Sequence, residues 1–160
     1  MRKGVLKILF ISTKNSSRSL IAEGCLAHLG AGRFKVFSAG HPDHLADQPS
    51  GVTLATLQQS GFAIGGLRSK SWSQFARLDA ERMDFVVCLD RYLLSDLPTW
   101  PGQPDLVLWH YAPLTNEVQA QKEHYAMLVS IRRRIELLVA LHQRTDSRAD
   151  LRDELREMAG

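Results

Sequence analysis

Eight consecutive positions, Ser12-Thr13-Lys14-Asn15-Ser16-Ser17-Arg18-Ser19, gather hydroxyls, an amide and two cations at one place in the chain. An apolar run leads into them and a helical pattern starts directly behind them. A helix start offers unpaired N–H groups and the positive end of a dipole. Successive N–H groups curled round it form a nest for an anion, and Arg18 can fork two hydrogen bonds onto an oxyanion. The nucleotide spacing GxxxxGK[ST] is missing, and so is the dinucleotide spacing GxGxxG. Capping the helix would take one Ser or Asn and has no use for Arg18. Residues 12 to 19 therefore read as an oxyanion-binding loop.

A loop of this kind has to be held by regular elements. "VLKILFI" (5–11) reads as a buried strand, and "SLIAEGCLAHLG" as a helix with Leu20, Ile21, Gly24, Cys25 and Leu29 on one side. "RFKVFSAG" gives a second strand, "SGVTLATLQQSG" a helix, "SWSQFARL" a short helix, and "DFVVCLD" a third strand. "RYLLSDL" reads as another short helix and "DLVLWHY" as a fourth strand. One long amphipathic helix follows from Glu117 to Gln143, with Val118, Tyr125, Leu128, Val129, Arg132, Ile135, Leu138 and Val139 near helical spacing. Strands separated by helices imply an α/β fold: a three-layer sandwich with a four-stranded parallel sheet and helices on both faces. Ligands in such folds sit beyond the C-terminal ends of the strands, which is where the loop after the first strand lies.

The 160 residues suit one domain, placed at 1–145, followed by a tail at 146–160. The tail can form a short helix after Asp146 or Ser147, with Leu151, Leu155 and Met158 as a narrow stripe that docks on its own domain or on a partner. A net charge of +3 is compatible with an anionic ligand and too weak to argue for nucleic acid. No apolar run approaches the ~20 residues that cross a bilayer, so no membrane association is expected. The basic, apolar N-terminus is interrupted by Lys7 and lacks a cleavage pattern, so a first strand is the better reading than a signal peptide. Cys25 and Cys88 lie far apart and inside apolar patterns, as reduced thiols of a cytoplasmic protein would. No His, Cys, Asp and Glu cluster has metal-ligand spacing; neither metal nor cofactor is expected.

With these residues in hand, the chain resembles the low-molecular-weight protein tyrosine phosphatases and the thioredoxin-coupled arsenate reductases that share their fold. That family opens with a strand and C-x5-R-[ST], commonly inside "CTGNSxRS" and followed by "MAEA"; here the place reads "STKNSSRSLIAEG". "FSAGHP", "LRSKSWSQF", "DFVVCLDRYLLSDLP" and "LWHYAP" match further family segments in order, so the resemblance runs from about residue 5 to about residue 143. It implies a phosphotyrosine protein phosphatase I-like fold. It also implies an anion site made of Ser12, Thr13, Lys14, Asn15, Ser16, Ser17, Arg18 and Ser19, taking phosphate, arsenate or phosphotyrosine.

The departures from the family pattern bear on chemistry. Ser12 stands at the position of the nucleophilic Cys, and an alkoxide is far harder to form than a thiolate of ordinary pKa ~8.5. Ala112 stands where the family's Asp-Pro pair carries the general acid, a loss that typically costs ~10²–10⁴ in rate. Lys14 replaces a glycine. Of the two further cysteines that the arsenate reductase branch uses, Cys88 fits the first, and Ser95 or Leu97 takes the place of the second. Natural divergence explains these changes together more simply than engineering does.

The leading expectation is an oxyanion binder that has lost thiol chemistry, acting as a sensor, a protecting binder or a partner of another protein. A second is a phosphatase or arsenate reductase with residual or altered activity, in which His110 could replace the missing acid. A third is a flavodoxin-like FMN binder, with the hydroxyl-rich loop on the phosphate and a tryptophan on the ring. Arg18 and the basic charge weigh against that third reading.

Overall fold

The computed structural model describes residues 4–114 and 120–158. Its core is a four-stranded, wholly parallel sheet of β1 (Leu6–Ser12), β2 (Phe34–Gly40), β3 (Phe85–Cys88) and β4 (Asp105–Leu108), in the spatial order β2-β1-β3-β4. Side chains alternate across β1. Ile8 and Phe10 enter one core with residues of α1 (Arg18–Leu29), α4 (Ala120–Arg144) and α5 (Arg148–Glu157). Leu9 and Ile11 enter the other, with Trp72, Met83, Val86 and Leu93. A strand covered on both faces has no solvent side, which is why "KILFI" is nearly continuous in apolar residues rather than alternating.

The chain leaves β1 toward β2 on one side, and β3 pairs on the other, so the strand order switches at β1. Ser12 is in register with Gly40, and Ile11 with Cys88. The segments after β1, β2 and β3 thus emerge together at one edge of the sheet. Helices α2 (Gly51–Gln59) and α3 (Ser73–Ala76) complete the layers, and Arg91–Asp96 forms a 3-10 turn where the sequence suggests a short helix. Asp90 caps that turn by accepting from the Tyr92 N–H, and Pro98 follows closely.

The buried face of the long helix differs from the helical pattern. Helical spacing groups Tyr125 and Val129 with Leu128, Ile135 and Leu138, yet Tyr125 is 60% and Val129 44% exposed. The inner stripe of α4 instead takes in His124, Ile131 and His142. Each buried ring has somewhere to go: His124 lies against the Ala120 carbonyl, and His142 against the Phe34 ring. The expected start of α4 at Glu117 and Val118 lies outside the described residues. The tail helix begins after Ser147, which accepts from the Asp150 N–H, and it buries Leu151 and Leu155 in the domain's own core. Trp109 Nε1–H fixes it by donating to the Leu155 carbonyl at 3.0 Å.

Candidate oxyanion site

The loop between β1 and α1 is shaped by where its carbonyls go. The carbonyls of Thr13, Lys14 and Ser16 accept from the N–H groups of His41, Ala46 and Ser50, and that of Asn15 accepts from the Ser69 hydroxyl. All four are turned outward onto surrounding chain. Among the described residues, the N–H groups of residues 14 to 18 meet no hydrogen-bond acceptor. Ser17, at the start of α1, makes no side-chain capping bond, so the helix end also stays open. Unpaired N–H groups at a helix start suit an anion, which would satisfy several at once.

Asn15 creates the curl. Its φ of 51° is in the left-handed region, which Asn tolerates better than most residues. Wholly buried, it spends its amide on the surroundings: Nδ2 donates to Ser19 and Ser38 hydroxyls, and Oδ1 accepts from the Lys70 N–H. Gly40 lets the loop lie down, since a Cβ there would come within 3.0 Å of Asn15 N and of the Lys14 carbonyl carbon. Beneath this, Glu23 and Lys70 form a largely buried pair at 3.8 Å. Burial raises the Glu23 carboxyl above its ordinary value against the bond from Ser38 and the charge of Lys70. It also lowers the Lys70 ammonium against the charge of Glu23.

The loop encloses a cavity of about 150 Å³ lined by Ser12, Thr13, Lys14, Ser16, Ser17, Arg18, Pro113 and Leu114. That is room for a tetrahedral oxyanion. Arg18 is buried beside it. Its Nη1 donates to Asp90 Oδ2 at 3.1 Å and to the Tyr111 carbonyl at 2.8 Å, while Nη2 has only a long contact of 3.5 Å to Thr13 Oγ1. Nη1 is thus committed to holding the side chain, and Nη2 remains for a ligand. Thr13 also donates to Asp90 Oδ2, at 2.9 Å. Burial pushes the Asp90 carboxyl up, but the bonds from Tyr92 N–H, Thr13 and Arg18, with the Arg18 charge, outweigh it and hold the group below its ordinary value. Asp90 is therefore an ionised anchor with no proton to give at neutral pH.

Ser12 Oγ lies 2.6 Å from Ser19 Oγ. Among the described residues no carboxylate or imidazole accepts its proton. Ala112 is exposed in the segment leading to Pro113 and Leu114, next to the cavity wall. His110 lies elsewhere on the rim, where its Nδ1 accepts from the Arg91 N–H at 3.0 Å and its ring meets Tyr92 edge-on. It does not line the cavity. Cys88 is buried on the opposite face of the sheet from Phe10, with Sγ 3.1 Å from the Asp90 carbonyl, and burial pushes its thiol up to about 11. Burial pushes Cys25 up to about 12. Trp109 is fully buried and Trp72 nearly so, and neither lines the cavity. No three His, Cys, Asp or Glu side chains come together as a metal site among the described residues. No helix among them is long and apolar enough to cross a membrane.

The sequence reading located the loop but not its supports. Asp90, Ser38, Lys70, Thr53 and His124 all serve it from distant positions. Asp90, Ser38 and Lys70 fall within segments that match the family pattern, and nothing local marks Thr53 or His124.

The chain is similar to several known proteins in sequence and fold. A curated relative, the glutaredoxin arsenate reductase of Synechocystis, is 29% identical over 109 residues, or 64% of this chain and 74% of its own length. A solved arsenate reductase in the oxidized state is 28% identical and superposes with a TM-score of 0.68 over 84% of this chain and 96% of its own. The thioredoxin-dependent arsenate reductase of Corynebacterium glutamicum gives the same TM-score at 22% identity, and the match covers 91% of this chain and 66% of that one. Residues 7–124 match the family described as low molecular weight phosphotyrosine protein phosphatase. The chain belongs to the low molecular weight phosphotyrosine protein phosphatase family.

Proposed function

We propose that this protein binds a tetrahedral oxyanion, either phosphate, arsenate or a phosphomonoester such as phosphotyrosine, in the loop 12–19, and that it has lost thiol-based transfer. The observation that carries the reading is the loop's polarity: four carbonyls turned outward, with the amides of residues 14 to 18 meeting no acceptor among the described residues, beside a cavity that Arg18 also lines. Ser12 adds a hydroxyl donor. Family membership supports the ligand class, since phosphotyrosine appears in the family's own description.

Transfer chemistry lacks its parts. A hydroxyl without a base is a poor nucleophile, and Ala112 supplies no proton to a leaving oxygen. The relatives named as glutaredoxin or thioredoxin-dependent reductases suggest a dithiol partner. Against such a partner here, both thiols of this chain are buried and held protonated. The protein then acts by holding its ligand, as a sensor, a protecting binder or a regulatory partner.

Calorimetric titration with phosphate, arsenate and O-phosphotyrosine tests this. Binding by the wild type that Arg18→Ala abolishes is the expected result. Absence of binding at millimolar anion would sink the reading.

A further inference from the structure

Resting on the oxyanion reading, we propose that His124 is a proton-linked positioning residue of the site, acting through the Ser17 hydroxyl. His124 is wholly buried on α4. Its Nδ1 is 2.7 Å from the Ala120 carbonyl, which can only accept, so Nδ1 carries a hydrogen. In the neutral ring Nε2 is then an acceptor, and it faces Ser17 Oγ at 3.4 Å. Ser17 Oγ also accepts from Thr53 Oγ1–H at 2.9 Å, and Thr53 is itself fully buried.

The proton count follows. A hydroxyl has one hydrogen and two lone pairs. With His124 neutral, the Ser17 hydrogen is given to Nε2, and the oxygen presents no hydrogen to the cavity that Ser17 lines. An anion there meets a lone pair. With Nε2 protonated, Ser17 accepts from both Thr53 and His124, and its own hydrogen turns to the anion. The change replaces a repulsive contact with a donor and adds a positive charge behind it. By reciprocity, binding an anion draws a proton onto His124.

Other titratable or charged groups nearby in sequence on the surrounding elements are Lys14 of the loop, Arg18, Glu23, Cys25 and His28 of α1, and Lys122, Glu123 and Tyr125 in the first two turns of α4, with arginines and Glu136 farther along that helix; α2 has none. His41 reaches the loop from β2 through its backbone N–H, donated to the Thr13 carbonyl.

Sulfate is the probe, because its charge is constant near neutrality. Its binding is measured calorimetrically from about pH 8 to about pH 6, in two buffers of different ionisation heat, to count protons. Wild-type affinity should rise several-fold as pH falls, with uptake of up to about one proton per sulfate. At about pH 6 Ser17→Ala and His124→Gln should bind more weakly than the wild type, and both should lose the slope and the proton uptake. His41→Gln should keep the slope. A flat wild-type profile, or a slope unchanged in folded His124→Gln and Ser17→Ala, overturns this inference alone. No sulfate binding at any pH overturns the oxyanion reading and this inference with it.

Discussion

Ser12 Oγ and Ser19 Oγ stand 2.6 Å apart, and Asn15 Nδ2 donates to the same Ser19 oxygen from 2.7 Å. Asn15 fills one acceptor position of Ser19, which keeps one hydrogen and one lone pair, so either hydroxyl of the pair can be the donor. Where Ser19 donates, Ser12 turns its own hydrogen to the cavity it lines. Among the described residues no base takes the Ser12 proton, so its hydroxyl suits donation and not attack.

Turnover of p-nitrophenyl phosphate by the wild type should therefore equal that of Ser12→Ala. Ser12→Cys should gain slow turnover: its thiolate forms an S–P bond, nitrophenolate leaves, and water hydrolyses the S–P bond. O-phosphotyrosine, whose phenolate is a worse leaving group, should react more slowly still. Adding Ala112→Asp should speed that substrate by about 10²–10⁴. Wild-type turnover that Ser12→Ala removes would contradict this account.

Asp90→Ala leaves the Arg18 guanidinium buried beside the cavity without its counter-charge. Breaking a buried pair from one side costs about 3–5 kcal/mol, which urea unfolding would register. Saturating phosphate should return part of that loss in the variant, because the anion then faces Arg18. An equal phosphate increment in wild type and variant would argue that Arg18 does not meet the ligand.

Asp90 also sets an acid limit. Its folded value lies below the ordinary 3.8, so its contribution is complete at neutral pH and is lost as pH falls below 3.8 toward the folded value. Urea midpoints measured from about pH 6 to about pH 3 should fall more steeply for wild type than for Asp90→Asn. Parallel curves would show that the carboxylate gains nothing on folding.

Cys25 and Cys88, pushed up by burial to about 12 and about 11, should not react with a thiol reagent in the folded protein at neutral pH. Both should react at once in urea. Fast labelling of Cys88 in the native state would reopen the question of a redox role.

Gly40→Ala should destabilise by about 1–3 kcal/mol and weaken phosphate binding, since its Cβ meets the loop backbone and not a movable side chain. Gly51→Ala, where the added Cβ meets nothing within 4 Å, serves as the control. Equal effects from the two would mean that the loop does not depend on that close approach.

The loop and the elements on either side of it were legible because their signals are local: an apolar strand, a run of hydroxyls and a helix start within a few residues. The contacts between the loop and its supports were not. Arg18 meets Asp90 across 72 positions, and Ser17 meets His124 across 107, so only the folded chain pairs them. The inner face of α4 departs from the helical spacing for a related reason. Periodicity ranks Tyr125 and Val129 above His124 by polarity, but a buried imidazole with a carbonyl and a hydroxyl to meet costs little. Nor does a strand-end histidine such as His110 announce whether it turns to the cavity or, as here, to the Arg91 N–H.

The C-terminal helix has a consequence for solubility. β4 has a strand partner on one side only, and an open strand edge invites a strand from another molecule. Arg156 Nε donates to the Leu106 carbonyl at 3.1 Å, Arg148 Nη2 reaches the Gln103 carbonyl at 3.5 Å, and Arg148 Nε binds Asp105 at 3.1 Å. Guanidinium groups thus occupy acceptors that an incoming strand would use, and they put positive charge along the rim. α5 shields the β4 edge of the sheet against pairing with another strand while its leucines close the core.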